Sequence, residues 1–79
     1  MTSPATRPLR EIVAENIDGA IAASGRTNRS VGEAIGSTEH QVWRWRRGKV
    51  GPSDENLVGL ADTLDVSVAW FYTEHEEAA

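Results

Sequence analysis

Two short apolar patterns, separated by a Gly-Ser pair at positions 36–37, constrain the fold of this chain most strongly. The pattern over residues 28–35 has its small and apolar side chains at Val31, Gly32, Ala34 and Ile35. The pattern over residues 39–46 places Val42 and Trp45 three residues apart. Both spacings are typical of helices that lie on a core. The sequence therefore predicts two short helices joined by a tight corner.

A threonine precedes each of these helices, since Thr27 stands before the first and Thr38 before the second. A side-chain oxygen at such a position accepts a free backbone N–H of the first helical turn. Two helices joined by a glycine-containing link of about three or four residues form a helix-turn-helix. Trp45 shares the inward side with Val42 and is predicted to lie in the core. The outer side of the second helix carries Glu39, His40, Gln41, Trp43, Arg44 and Arg47.

The charge of the chain is unevenly distributed, although its net value is −4. Residues 26–49 carry six basic and two acidic side chains, whereas residues 50–79 carry seven acids and no base. Beyond about 10 Å such charges are screened at physiological salt, so the local patch matters more than the total. The basic window coincides with the predicted helix-turn-helix, which favours a nucleic-acid partner over a solvated face.

Size and composition indicate one small domain of 79 residues without disulfides, because the chain has no cysteine. The absence of thiols suits a reducing cytoplasm. The chain has no apolar run of about 18 residues and no signal-peptide pattern, so we expect a cytoplasmic protein rather than a secreted or membrane-embedded one. With two histidines and no neighbouring ligands, neither a metal nor another cofactor is expected.

Three further helices are predicted around the helix-turn-helix, over residues 9–24, 54–64 and 68–73. The first has an apolar stripe at Leu9, Val13, Ile17 and Ala20 or Ile21. Ser53 and Ser67 are placed to cap the last two helices, and Gly48 to end the second helix of the unit. The predicted fold is a compact all-α domain of five helices. The predicted organisation is a flexible N-terminus at residues 1–8, the helical domain at 9–73 and an acidic tail at 74–79.

A spaced set of residues continues through most of the chain, and the stretch WRWRRGKVGPSDENLVGLADTLDVSVAWF contains much of it. The members are Val31 to Gly36, Val42, Arg44-Trp45, Arg47-Gly48-Lys49, Pro52-Ser53, Leu57, Leu60-Ala61, Leu64, Val66-Ser67-Val68 and Trp70-Phe71. In this order and spacing, residues 17–72 resemble the lambda-repressor-like (Cro/C1-type, or XRE) helix-turn-helix family. The resemblance implies a five-helix DNA-binding domain. Small members of the family are often phage repressors, Cro-like proteins or antitoxins.

The chain departs from the usual family pattern at three positions. Gly32 stands where alanine is usual, which is expected to weaken that helix by about 1 kcal/mol. Asn28 replaces a common glutamine and can still reach a phosphate. Arg46 stands where an acid is common, so this surface is more basic than usual.

The resemblance implies that the N-terminal part of the second helix contacts base edges in the major groove. The base-reading residues carried over in this way are Glu39, His40, Gln41, Trp43 and Arg44. Arg44 is the strongest candidate, because arginine can hold guanine O6 and N7 with two bonds; a phosphate contact, or an ion pair with Glu39 or another acid, is its alternative. Glu39 either accepts from cytosine or stabilises the helix dipole, and Gln41 contacts adenine or a phosphate. His40 donates to a base or phosphate, and Trp43 either covers a sugar or thymine methyl group or packs on the surface.

Phosphate contacts are expected at the start of the first helix of the unit and around the loop after the second helix. The predicted phosphate-binding residues are Thr27, Asn28, Arg29, Arg46, Arg47 and Lys49. A solvated surface charge is the alternative for each arginine. If one chain neutralises about four phosphates, log K falls against log salt with a slope of about −3.6.

Together these features favour a sequence-specific binder of double-stranded operator DNA that regulates transcription, as a phage-type repressor or Cro-like protein. The alternative is an antitoxin-type interaction module that also regulates itself by binding DNA. No motif with catalytic support is present, so the chain is not expected to be an enzyme. A homodimer, formed in solution or only on DNA, is a further hypothesis, and no small-molecule ligand is evident. A last hypothesis is that Ala78-Ala79 acts as a protease-recognition signal.

Overall fold

Five α-helices form the part of the chain that the structure, a computed structural model, describes, which is residues 7–75. No residue in this range lies in a β-strand. The helices are α1 (Leu9–Ser24), α2 (Asn28–Ile35), α3 (Glu39–Arg46), α4 (Asp54–Leu64) and α5 (Val68–Phe71). None of them is long and apolar enough to cross a membrane. The prediction of an all-α domain with five helices is thereby confirmed.

The end of α5 differs from the prediction, because the helix stops at Phe71 rather than at Thr73. The backbone N–H of Tyr72 donates to Ala69 O at 3.0 Å, and that of Thr73 donates to Trp70 O at 3.3 Å. These bonds reach back three residues instead of four, as in the tighter turns that often end a helix. The other four helices begin and end at the residues predicted from the sequence.

Side-chain oxygens cap the starts of four helices, as predicted. Each accepts a backbone N–H three residues further on, over distances of 3.0 to 3.2 Å, and the caps are Thr27, Thr38, Ser53 and Ser67. Gly36 ends α2 in a left-handed conformation, with a φ of 74°, and lets Ser37 N–H bond Gly32 O at 2.8 Å. Glycine adopts this φ without the steric cost that a side chain imposes. The corner between α2 and α3 is therefore built from local sequence alone.

The core is one cluster to which all five helices contribute, and Trp45 and Phe71 are its largest fully buried side chains. Its buried members are Val13, Ile17, Ile21, Val31, Val42, Trp45, Leu57, Leu60, Ala61 and Phe71. Leu9, which the sequence placed on the apolar stripe of α1, is 53% exposed. The first turn of α1 projects beyond the core, since burial along this helix begins at Ile12.

The two ends of the described chain meet at Arg7. Its Nε atom contacts Glu11 Oε1 at 2.8 Å and its Nη1 atom contacts Glu74 Oε2 at 3.0 Å, and Glu15 is a third partner. The carboxylates of Glu15 and Glu11 raise the pKa of Arg7 above its ordinary value. The remaining parts of the predicted flexible N-terminus and acidic tail, including Ala78-Ala79, lie outside the described residues.

A buried asparagine of α1 holds α5 in place. Asn16 is 8% exposed, and its Nδ2 atom donates to the carbonyl oxygens of Phe71 and Thr73, each at 2.8 Å. The carbonyl of Trp70 lies at 3.3 Å from the same nitrogen. Carbonyl groups at a helix end have no partner within the helix, so the amide supplies one. A single side chain thus connects residues more than fifty positions apart along the sequence.

Replacing Asn16 should measurably destabilise the fold. We expect Asn16→Ala to lower the free energy of unfolding in urea by about 1–3 kcal/mol, since the carbonyls of Phe71 and Thr73 would lose this donor. Asn16→Asp should cost more, because a carboxylate would face carbonyl oxygens. Asn56→Ala is the matched control, and its effect should stay within about 0.5 kcal/mol. Equal destabilisation by the two alanine variants would contradict the role of Asn16.

Gly32 permits a close approach between α2 and the start of α3. A Cβ atom at this position would lie 2.8 Å from the carbonyl carbon of Thr38 and 3.1 Å from the backbone nitrogen of Glu39. Both atoms belong to the backbone, so they cannot rotate away as a flexible side chain would. The low helix propensity of Gly32, noted from the sequence, is therefore accompanied by a tight backbone contact that the sequence did not indicate.

Two glycine-to-alanine substitutions should act in opposite directions. Gly19→Ala, in the interior of α1 with open space around its Cβ position, should raise the free energy of unfolding by about 0.5–1 kcal/mol. Gly32→Ala should lower it, because the gain in propensity is smaller than the cost of displacing the backbone at Thr38. Chemical denaturation of both variants measures the difference, and a similar gain for both would refute the close contact at Gly32.

Candidate nucleic-acid interface

The direction in which α3 presents its side chains is set by two residues on its inner side. Val42 is fully buried and Trp45 is 1% exposed, and both belong to the core cluster. Because they lie three residues apart, they fix the rotation of α3 about its own axis. The prediction that Trp45 belongs to the core is confirmed. The remaining side chains of α3 are left to face away from the core.

The five residues predicted to read bases all retain access to solvent. Glu39 and His40 are exposed, Trp43 is 40% exposed, and Gln41 and Arg44 are half-buried. The Nη1 atom of Arg44 lies 3.5 Å from Gln41 Oε1, which is long for a hydrogen bond. No ion pair between Arg44 and Glu39 is found within residues 7–75. The guanidinium of Arg44 is thus held loosely by its neighbour in α3.

Three side chains, two on the outer surface of α3 and one directly after it, form a stack. The rings of His40 and Trp43 are 5.8 Å apart and inclined by 15°, and the guanidinium carbon of Arg47 lies 5.2 Å from the centre of the Trp43 ring. The spacing of three and four residues brings side chains together on one side of a helix. Trp43 is therefore packed between two neighbours on the surface and remains 40% exposed.

The cations of the basic window fall into two groups. Arg29 pairs with Glu33 at 3.3 Å, and Arg46 pairs with Asp18 of α1 at 2.7 Å. Within residues 7–75, no carboxylate lies in ion-pair distance of Arg26, Arg44, Arg47 or Lys49. The Arg29 pair is exposed on both sides, so it contributes little stability and leaves Arg29 free to exchange partners. Three cations on α3 and the following loop are thus available to a polyanion.

The start of α2 lies beside α3 and completes the surface. Asn28 lines an open cleft of about 360 Å³ together with Glu39, His40 and Trp43. Thr27 is exposed, and its side chain is engaged in capping α2. The structure brings the start of α2 and the outer side of α3 together on one surface. Lys49 is exposed on the loop that follows α3.

Asp18 is a residue of this region that the sequence did not identify. In the sequence it lies 28 positions away from Arg46. In the structure its Oδ1 atom accepts a hydrogen bond from Arg46 Nε at 2.7 Å. A contact between residues so far apart in the sequence produces no short-range spacing pattern from which it could be predicted. The stack of His40, Trp43 and Arg47, in contrast, follows from helical spacing and could have been anticipated.

Solved structures of other proteins share this fold. The P22 c2 repressor protein, crystallised with the synthetic operator 9T, is 21% identical with a TM-score of 0.75, and 80% of this chain aligns with 96% of that one. The clp gene regulator ClgR from Corynebacterium glutamicum is 27% identical with a TM-score of 0.78, over 85% of this chain and 71% of that one. The SOS-response transcriptional repressor LexA from Eubacterium rectale is 20% identical with a TM-score of 0.81, over 95% of this chain and 81% of that one.

A helix-turn-helix family model matches residues 20–71, which span α2 and α3 and extend through α5. No curated protein matches the sequence. The segment that the family model matches covers well over half of the chain and includes the interface described above. This chain therefore belongs to the Cro/C1-type helix-turn-helix family.

Proposed function

We propose that this DNA-binding transcriptional regulator recognises an operator by inserting α3 into the major groove. The observation that carries the proposal is the division of α3 into a buried side, with Val42 and Trp45, and an outer side of polar, aromatic and cationic groups. An α-helix fits the major groove, where each base pair presents a distinct pattern of donors and acceptors. Arg44, Arg47 and Lys49, which have no carboxylate partner in the described chain, supply the attraction to the phosphate backbone.

In this proposal the base edges are contacted by Glu39, His40, Gln41, Trp43 and Arg44. Arg44 has the clearest role, since its guanidinium can break the weak contact with Gln41 and form two hydrogen bonds with a guanine. Glu39 is the acceptor for a cytosine amino group and Gln41 the partner for an adenine. The packed ring of Trp43 offers an apolar surface to a sugar or to a thymine methyl group.

Phosphate groups on either side of the reading helix complete the proposed complex. At the start of α2 the contacts come from Thr27, Asn28 and Arg29, close to free backbone N–H groups and the positive end of the helix dipole. After α3 they come from Arg47 and Lys49. Arg46, the sixth residue predicted from the sequence, already donates to Asp18 and Asn28. Phosphate contacts fix the position of the protein along the duplex.

As a regulator, the protein would act by occupying its operator in the cytoplasm, as a phage-type repressor or Cro-like protein. The likeness to the P22 c2 repressor, a protein that binds an operator, supports this type of action. We further propose that two copies bind a near-palindromic site, with half-sites about 34 Å apart. Analytical ultracentrifugation that finds one copy per duplex at saturation would exclude the dimer while leaving operator binding intact.

Arg44→Ala should change the sequence preference of the protein. We expect the binding site selected from random duplexes to lose its preference at one base pair of each half-site, with discrimination reduced by about 1–3 kcal/mol. Arg29→Ala is the matched control, because removal of a phosphate-binding group should weaken binding to all sequences alike. Unchanged preference in the Arg44 variant would argue against base contact at this position.

The salt dependence of binding should identify the phosphate-binding cations. For Arg47→Ala and Lys49→Ala we expect the slope of log K against log salt to become shallower by about 0.9 for each phosphate that is no longer neutralised. Fluorescence anisotropy titrations between about 50 and 200 mM salt measure this slope. If a variant keeps the slope of the unmodified protein, the side chain that it replaces does not bind a phosphate and is only a solvated charge.

A further inference from the structure

Arg46 occupies the point at which α1, α2 and α3 meet. Its Nε atom donates to Asp18 Oδ1 of α1 at 2.7 Å, and its Nη1 atom donates to Asn28 Oδ1 of α2 at 2.7 Å. The side chain is only 23% exposed. Hydrogen bonds with a charged donor are short and strong compared with neutral ones. Arg46 is therefore the most firmly held cation of the basic window.

The bond from Arg46 determines which way the amide of Asn28 faces. A guanidinium has donors and no acceptor, so only the oxygen of an asparagine amide can face it. The NH₂ group of Asn28 must then point away from Arg46. Within residues 7–75 no hydrogen bond engages this NH₂ group. Its donors are thus left for an acceptor outside the chain, beside the cleft that Asn28 lines with Glu39, His40 and Trp43.

Neutralisation by Asp18 also distinguishes Arg46 from Arg47 and Lys49. An arginine that is already paired at 2.7 Å and bonded to a second partner would have to break both of these bonds to grip a phosphate with the same atoms. Asn28 has no such conflict, because its oxygen is used internally and its nitrogen is not. The geometry therefore distinguishes Arg46, whose Nε and Nη1 donors are engaged within the protein, from Asn28, whose NH₂ donors are not.

We propose that Arg46 is a positioning residue for DNA binding. It fixes the amide of Asn28 so that the NH₂ group donates to a phosphate oxygen of the operator, and Asp18 in turn holds Arg46. This proposal rests on the proposed function, and it replaces the direct phosphate contact that the sequence suggested for Arg46. The start of α2 is thereby pre-oriented before DNA arrives, which reduces the ordering cost of binding.

A double-mutant cycle on DNA binding tests the proposal. A duplex selected from random sequences by the unmodified protein is the probe, and the variants are Arg46→Ala, Asn28→Ala and the two combined. Asn28→Ala should weaken binding about tenfold, as expected for one hydrogen bond to a charged group. Arg46→Ala should weaken it by a similar factor, and the double variant should be no weaker than Asn28→Ala. The salt slope should stay unchanged in Arg46→Ala.

Two results would overturn the proposal. If Arg46 touches a phosphate directly, the factors of the two single variants multiply, and Arg46→Ala makes the salt slope shallower by about 0.9. If Arg46 is merely structural, its removal lowers the free energy of unfolding but leaves the affinity of the folded protein unchanged. Failure of the unmodified protein to select any duplex would instead refute the proposed function itself.

A further variant keeps the test decisive should Arg46→Ala fail to fold. Asn28→Asp preserves an oxygen for Arg46 and strengthens that bond by adding a charge. It removes the NH₂ donors, so we expect a protein at least as stable as the unmodified one that binds the selected duplex more weakly than Asn28→Ala does. Undiminished affinity of Asn28→Asp would exclude donation from Asn28 and with it the role of Arg46.

Discussion

The burial of Val42 and Trp45 is the interaction on which both the fold and the proposed recognition surface depend. With eight residues, α3 is too short to be stable as an isolated helix in water. It exists because these two side chains are almost completely removed from solvent. Full burial of one large apolar side chain contributes about 1.5–3 kcal/mol, a large share of the roughly 3–5 kcal/mol available to so small a domain. Removing the side chains of Val42 and Trp45 would therefore unfold α3 rather than merely rotate it.

The acidic side chains of the chain have structural positions of their own, which explains how a protein of net charge −4 keeps a basic surface. Asp54 and Glu55 lie in the first turn of α4, where the helix dipole stabilises negative charge. Three other carboxylates, those of Glu11, Glu15 and Glu74, are paired with Arg7. Within residues 7–75, only Asp18 and Glu33 pair with cations of the basic window. The attraction to DNA is thus local, as screening over about 10 Å requires.

What could be predicted from the sequence is what short-range spacing determines. The caps of Thr27 and Thr38 join atoms three residues apart, and the inward pair Val42 and Trp45 follows helical periodicity, so both were predicted correctly. The exposure of Leu9 was not predicted, because periodicity alone does not show where along a helix the core ends. Asn16 donates hydrogen bonds to carbonyl groups more than fifty positions away in the sequence, and Asp18 accepts one from Arg46, 28 positions away. Neither contact was predicted. Such partners become visible only when the packing of whole helices is known.

The surface of α3 combines residues that can be exchanged independently with residues that cannot. Glu39, His40 and Arg44 are not members of the buried core cluster, so substitution there changes chemistry without disturbing the core. Gly32 and Arg46 differ, since each joins α3 to another helix. A fold with few kcal/mol to spare tolerates variation at the first group and restricts it at the second. The positions that orient α3 are consequently restricted by folding, whereas the positions proposed to contact bases are restricted less.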